Sequence, residues 1–392
     1  MKLLMIEDYS DFECIGDKCQ ICCCGGGWNI IVDDESARKY RAVEGEFGDE
    51  LRKCLEDING TTYFILDEKK ECPFLNEQGL CRIYRTLGED ALCDTCKTYP
   101  RFSYQVGDVM FLYLTTSCPE VTRRIVERYD PVQIDFSEIP NTKMQDIKLK
   151  KMNWVRFNGA IEAYSSGMNI LQDRSMDIID RIRLLMLFIH DYEENVRNKR
   201  SNKELFDKFS TDDGLRAYCD HLRNHKGEWG LMTGTFSFIF SLIMGQSYDH
   251  PMWEKLNEMT VSINSHGLFD TDAMQNALTC LDQEEIQIEL EQIIAYRYFK
   301  TFMSGYDKND HYEQMVNECV LLMALVFYIV IYKVLYNTEP SKNDRILYYS
   351  LCSRGDHSSG SKEKLNKWIE ESGLYDLDRL MSLCSPDANI KV

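Results

Sequence analysis

In the stretch "SMDIIDRIRLLMLFIHDYEEN" the apolar positions Ile178, Ile182, Leu185, Met186 and Ile189 recur at intervals of three and four. That spacing stacks them on one side of an α-helix, so a helix with a buried face is predicted there. The same period runs through most of the chain beyond residue 148, where only Pro251, Pro340 and Pro386 interrupt it. The most apolar run, "VLLMALVFYIVIY" from Val320 to Tyr332, ends at Lys333. At the helical rise it covers about 20 Å, short of a hydrocarbon core of roughly 30 Å, so it reads as a buried or dimer-forming helix and not as a membrane span. Aromatic pieces such as "TFSFIF" and "AYRYF" are expected in the core.

The first 130 residues follow another pattern. Five of the eight prolines lie at or before Pro140, among short runs of strand character: "WNIIV", "TTYFIL" and "VMFLYLTT". A helix is predicted to start at "CPEVTRRIVERY", with Pro119 suited to the first helical position. The segment "DPVQIDFSEIPNTKMQD" carries two prolines and mixed polarity, and reads as a linker. The expected fold class is therefore mainly α with a small, loop-rich α+β amino-terminal domain. Its parts are a cysteine-rich metal-binding domain over 1–130, a linker over 131–147 and a helical domain over 148–392. No repeat of fixed period and no low-complexity tract is present.

A chain of 392 residues is long enough for two ordinary cores, so disulfides are not needed for want of one. Its 64 acidic and 45 basic residues give a net charge of -19. That balance serves solubility, repels nucleic-acid phosphates and would attract a basic, lysine-bearing partner. The opening "MKLLMIEDYSDFEC" turns acidic by residue 7 and has no leader-like apolar segment, so the expected location is the cytoplasm. Thiols stay reduced there, and clustered cysteines more often mean metal or redox chemistry than disulfides. Neither a membrane partner nor an oligomeric state is indicated.

Eleven of the sixteen cysteines lie at or before Cys118, and five lie beyond it. Cys14, Cys19, Cys22, Cys23 and Cys24 crowd into "CIGDKCQICCCGGGW"; Cys72, Cys81, the pair Cys93 and Cys96, and Cys118 follow. Two residues between cysteines is the spacing at which a tight turn brings both sulfurs to one metal or cluster, and Cys19/Cys22 and Cys93/Cys96 both have it. These ten are the candidate ligands. The vicinal thiols at 22–24 project in different directions, so some face a second centre or pack as small apolar groups. Cys54, in the amphipathic "DELRKCLEDI", reads as structural. Cys219, Cys280, Cys319, Cys352 and Cys384 are isolated and read as small core residues. Zinc and a cubane iron-sulfur cluster would both accept four thiolates, and spacing does not separate them.

The ordered succession "CIGDKC", clustered cysteines, a tryptophan, "CPFL", "CRIY", "LGE", "LCDTC", "YPR" and "SCPE" resembles the flagellin lysine-N-methylases, whose amino-terminal part belongs to a wider iron- or zinc-chelating group. The likeness continues more loosely in "ILQDRSMDIIDRIRLLMLF", "LEQIIAYRYFKTF" and "SRGDH". One departure is the three cysteines and three glycines before Trp28, where the family has a cysteine pair, one residue, then glycine and tryptophan. Whether Cys22 or Cys24 accompanies Cys23 stays open. The resemblance implies methyl transfer from S-adenosylmethionine to lysine side chains of flagellin, with an iron-sulfur cluster, most simply 4Fe-4S, in the enzyme.

Chemistry sets conditions on that activity. A lysine amine is about 3.4 units too protonated at pH 7, so freeing its lone pair costs roughly 4.6 kcal/mol, and the site must lower the pKa or supply a base. The chain has no glycine-rich turn between a strand and a helix of the common methyltransferase kind; "GGG" at 25–27 precedes a strand and reads as a turn wrapping a cluster. S-adenosylmethionine must then be held otherwise, for instance on an iron of a cluster held by three cysteines. The spacing that accompanies radical use of the cofactor is not found, since Cys19 and Cys23 have the first gap but position 26 is Gly26. An amine needs no radical.

Among other side chains, Tyr99 and Arg101 in "YPR" and Arg354 and His357 in "SRGDH" are the candidates. His357 and Tyr99 would serve catalysis, His357 as the base; Arg101 and Arg354 would pair with the cofactor's carboxylate. Packing beside the metal loop competes for Tyr99 and Arg101, and an ordinary surface position competes for His357. Glu120 reads as a helix-terminal acid. Two other functions remain open: a zinc-stapled protein-binding module without catalysis, and a redox protein using "CDTC" for thiol exchange.

Overall fold

The computed structural model describes residues 2–19, 23–25, 29–68, 70–138, 153–211, 214–215, 218, 222, 225–244, 251–266, 271–357 and 359–385. Two short turns set its strands. Asn59 and Gly60 both take positive φ, 49° and 83°, which a two-residue hairpin loop of this kind requires. They join β3 (Leu55–Ile58) to β4 (Thr61–Phe64), and β2 (Ile31–Val32) completes an antiparallel sheet of order β2-β4-β3. Gly107, at φ 61°, opens the turn between β5 (Arg101–Val106) and β6 (Val109–Leu114). Here β1 (Lys2–Ile6) lies parallel to β6, and β7 (Ile134–Glu138) pairs antiparallel with β1, giving the order β5-β6-β1-β7.

The strand runs read from the sequence hold β2, β4 and β6. The structure differs at β7, which occupies part of the stretch read as a linker: alternation in "IDFSE" lets it pair along the edge of β1. The rest of that stretch lies outside the described residues.

Five helices accompany the strands: α1 (Asp34–Ala42), α2 (Gly45–Lys53), α3 (Arg82–Leu87), α4 (Asp94–Thr98) and α5 (Pro119–Val126). Asp33 ties two of them together, its carboxylate accepting from the amide of Ser36 in α1 and that of Asp94 at the start of α4, both at 2.9 Å. Pro119 takes the first turn of α5 as predicted. The helix around Cys54 ends there and the chain continues as β3, so Cys54 caps α2 and does not lie within it.

From residue 153 onward the described residues are mainly helical: α6 (Trp154–Gln172), α7 (Ile178–Arg197), α8 (Lys203–Phe209), α9 (Trp229–Met244), α10 (Pro251–His266), α11 (Thr271–Leu278), α12 (Glu284–Thr301), α13 (His311–Tyr336), α14 (Lys342–Arg354), α15 (Ser359–Glu371) and α16 (Leu377–Leu383). The predicted face of α7 is buried, and so are Arg181 and Arg183 on its other sides. Glu291 from α12 accounts for Arg181, 2.7 Å away; removing one partner of such a pair costs about 3–5 kcal/mol. Every residue from Val320 to Tyr332 is buried within α13, which packs against α7, α9, α11 and α12. Among the described residues it is the one helix long and apolar enough to cross a membrane, but 72% of its apolar window lies inside the protein.

The fold is thus mainly α with a small strand- and loop-containing amino-terminal region. Among the described residues, the buried apolar side chains form two cores. The smaller surrounds β2, β3 and β4, with Tyr40, Phe64, Phe74 and Ile83 beside Cys72 and Cys93. The larger joins the four-stranded sheet to the helices: Val106, Phe111, Leu114 and Ile125 share it with α6, α7 and α12–α14. At its seam the buried hydroxyl of Tyr296 on α12 bonds both the amide (2.8 Å) and the carbonyl (2.9 Å) of Leu114. The end of β6 is thereby fixed against the helices, and the candidate site begins at the next residue.

Candidate functional site

Three buried hydroxyl residues, Thr115, Thr116 and Ser117, link β6 to Cys118, which caps α5. Hydroxyls so deeply buried need partners, and each finds one on another element. Ser117 Oγ lies 2.8 Å from His357 Nε2, 3.0 Å from Thr115 Oγ1 and 3.2 Å from Tyr99 Oη. Thr115 Oγ1 is 3.0 Å from the same imidazole nitrogen. Thr116 Oγ1 donates to Ser353 Oγ at 3.0 Å and accepts from Arg297 at 3.2 Å. His357 closes the short turn Gly355–His357 after α14. Burial pushes the Tyr99 phenol well above its ordinary range; Cys118 and Cys23 add to that, and the nearby charge of Arg354 opposes it.

The same electrostatic neighbourhoods sort the cysteines. Cys93 caps α4 and Cys96 lies one turn on. Their thiols share a hydrogen bond that holds Cys93 down and pushes Cys96 far up, with burial and the nearby Cys72 and Cys81 adding to the rise on Cys96. Cys72, Cys81, Cys93 and Cys96 therefore form one neighbourhood in the smaller core, with Cys24 packed against it and its carbonyl accepting from the Cys72 amide at 2.8 Å. Cys118 belongs to a second: burial pushes its thiol up to about 12, with Cys19 and Cys23 contributing. This second group adjoins Tyr99 and the hydroxyl network. Cys14 is exposed, and Cys22 lies outside the described residues.

Among the described residues, no three His, Cys, Asp or Glu side chains stand grouped as an ion site. The side chains gathered in each neighbourhood are thiols, the donor type that zinc and iron-sulfur clusters take. Burial and the sulfurs around them hold Cys96 and Cys118 toward the neutral thiol, and a bound cation would favour their thiolates.

A cavity of about 290 Å³ is lined in part by His357 and Thr115. One wall comes from the β5–β6 hairpin, whose pairing of Phe102 with Tyr113 and of Tyr104 with Phe111 puts all four rings on one face. Phe102 and Tyr113 lie side by side, centroids 6.0 Å apart and planes 25° apart, and Phe102 is 5.1 Å from the imidazole of His357. Facing them are apolar residues of α9, α13 and α15. Glu318 is the buried acid, paired with Arg297 and accepting from Thr301 Oγ1 at 2.6 Å. The Lys300 ammonium stands 5.9 Å from the Tyr113 ring centroid.

The structure therefore brings together Tyr99 and His357 through Ser117, and sets Arg354 and the group Cys19, Cys23 and Cys118 near them. Arg101 is elsewhere: its guanidinium donates to the carbonyls of Tyr9 (3.1 Å) and Phe12 (2.7 Å), fastening the turn after β1. Glu120 is buried and bound by Arg123 and Arg124. Cys319 and Cys384 are not isolated, since their sulfurs meet at 3.4 Å in the larger core; helices distant in sequence supply them. Sequence reading missed Ser117, Thr115, Phe102 and Tyr113. Alternating aromatics in "RFSY" and "FLYL", followed by the hydroxyl run "TTS", were the available signal.

Residues 166–383, more than half of the chain, match the family model described as the FliB lysine N-methylase C-terminal domain. The chain belongs to this family. The matched span contains Arg297, Glu318, Arg354 and His357, while the candidate cysteines and Tyr99 precede it. A lysine-N-methylase of Salmonella typhimurium is 33% identical over 141 residues, covering 32% of each chain, so the match spans about a third of that relative's length. The flagellar biosynthetic protein FliU of Salmonella muenchen is 31% identical over 137 residues, covering 31% of this chain and 76% of FliU. No solved structure matches the chain.

Proposed function

We propose that this protein is a cytoplasmic protein-lysine N-methyltransferase that moves a methyl group from S-adenosylmethionine to lysine side chains of flagellin. The observation that carries the reading is the Tyr99–Ser117–His357 contact, which joins the cysteine-bearing region to the FliB-matched helices beside a cavity. The names of the relatives support the lysine and flagellar parts. S-adenosylmethionine, when bound, supplies an electrophilic methyl carbon. The lysine nitrogen forms the new bond to it, the carbon–sulfur electron pair stays on sulfur, and a proton must leave the amine.

The residues divide that work. Removing the amine's proton at pH 7 costs roughly 4.6 kcal/mol, and His357 is the proton acceptor at the site. Ser117 and Thr115 fix the ring through Nε2 and connect it to Tyr99. Arg354, buried beside Tyr99, adds positive charge that suits the carboxylate of the donor. Cys72, Cys81, Cys93 and Cys96 would hold one metal centre and Cys19, Cys23 and Cys118 another, as iron-sulfur or as zinc. A metal at the second would supply positive charge next to Tyr99. The acidic surface draws in a lysine-rich segment, and burial must then lower the amine's pKa against that field.

The test is transfer of labelled methyl to flagellin by protein purified without oxygen. Methyl-lysine at defined flagellin positions is the expected product. Metal-loaded protein that binds S-adenosylmethionine yet methylates no lysine overturns the proposal and leaves the docking-module reading in its place.

A further inference from the structure

We infer that the cavity beside His357 is a purine-nucleoside site that takes the adenosine half of the methyl donor; the inference rests on the methyltransferase reading above. Size is the first argument. At about 290 Å³ it stands at the lower edge of small-molecule pockets, roughly 300–1,000 Å³. That is several times what one lysine side chain fills, and too little for both reactants together.

Shape and chemistry agree. Phe102 and Tyr113 form a nearly flat aromatic surface on the hairpin, and Ile239, Leu242 and Leu321 line the cavity with aliphatic groups. A slot with π faces on one side and aliphatic groups on the other suits a flat heterocycle. Asn317 Oδ1 is buried in the lining and has no hydrogen-bond partner among the described residues. A buried acceptor left so is costly, and an exocyclic amine or ribose hydroxyl would satisfy it.

Charge separates the two reactants. Among the described residues, Arg297, Lys300 and Lys362 line the cavity with one acid, Glu318, which is committed to Arg297 and Thr301. That positive charge would repel a protonated lysine but not the uncharged base and ribose of a nucleoside, while the donor's carboxylate goes to Arg354 outside the cavity. The substrate lysine must then approach His357 from outside this cavity.

Calorimetric titration of the full-length, anaerobically purified protein tests the inference with S-adenosylhomocysteine, adenosine, inosine and methionine as probes. Adenosine should compete with S-adenosylhomocysteine and inosine should bind more weakly. Tyr113→Leu and Asn317→Leu should each weaken S-adenosylhomocysteine about tenfold, and Leu242→Trp, which fills the slot, should abolish its binding. Unchanged affinity in all three overturns the inference while leaving methyl transfer intact. Loss of binding in the variants, with no methyl transfer by the unaltered protein, upholds the nucleoside site and sinks only the enzyme reading. Hydrogen exchange on unaltered protein decides the matter where a variant does not fold: adenosine should slow exchange at 102–114 and 314–321, and protection confined elsewhere overturns the site.

Discussion

Tyr99 and His357, from opposite ends of the chain, meet at a single hydroxyl: Ser117 Oγ lies 3.2 Å from the phenol oxygen and 2.8 Å from imidazole Nε2. If that bridge orients the ring for proton transfer, Ser117→Ala should lower kcat about tenfold with little change in KM. His357→Gln should cost about 10²–10⁴, the range for a lost general base. Methyl transfer to flagellin measures both. A His357→Gln variant as fast as the parent would remove the imidazole from the reaction.

Much of this arrangement was legible in the sequence, and the reason differs by element. The buried face of α7 and the spine of α13 follow from hydrophobic period alone, because a helix carries its own register. Tyr99 and His357 stood out by their motifs, yet nothing local says that one serine joins them; only the packing of α14 against α5 and the hydroxyl run before it does. The cysteine spacings announced thiol chemistry without saying which sulfurs share a neighbourhood. That division depends on long-range folding, which sets Cys118 beside Cys19 and Cys23 and leaves Cys93 and Cys96 with Cys72 and Cys81. Arg101 shows the converse: a residue in a good motif whose donors are engaged by backbone carbonyls.

Asp33 gives a prediction about acid stability. Burial disfavours its charge, but the amides of Asp94 and Ser36 outweigh that and hold its carboxyl down at about 2. A group that titrates lower when folded contributes fully above the ordinary carboxylate range, and its contribution disappears as pH falls toward about 2. Asp33→Ala should therefore destabilise the protein at neutral pH, by about 0.5–2 kcal/mol as for other lost helix caps, and by progressively less below pH 4. Because α4 carries Cys93 and Cys96, metal content should fall as well. Urea unfolding across pH, with metal analysis alongside, checks both. Equal destabilisation at pH 3 and pH 7 would rule the capping account out.

Two thiol neighbourhoods should lose metal separately. Cys96→Ser is expected to deplete the centre of the smaller core and spare the other, while Cys118→Ser should do the reverse and also alter the surroundings of Tyr99. Cys280→Ser, Cys319→Ser, Cys352→Ser and Cys384→Ser should leave metal content unchanged, since these buried residues belong to the helical region beyond residue 270 and not to the amino-terminal segments that carry the candidate ligands. Metal-to-protein ratios and the visible spectrum of anaerobic samples give the readout. Complete loss of all metal from either Cys96→Ser or Cys118→Ser would mean a single centre.

The net charge of -19 and the protonation of the substrate make opposing demands, and together they predict how rate varies with salt and pH. If acidic groups steer a lysine-bearing segment to the site, raising ionic strength should lower kcat/KM, because screening shortens the reach of the field to about 3 Å at 1 M. The value of kcat should change far less, as the bound complex is already formed. The same acidic field holds the amine's proton on, so activity should climb as pH rises, levelling near an apparent pKa below the roughly 10.4 of free lysine. That plateau position reports which influence prevails: burial of the amine lowers it, the acidic surroundings raise it. A rate indifferent to salt would show that the surface charge serves solubility alone. A pH profile that keeps rising past the free-lysine value would show that the site does nothing to release the proton, and His357 would then have no role as the base.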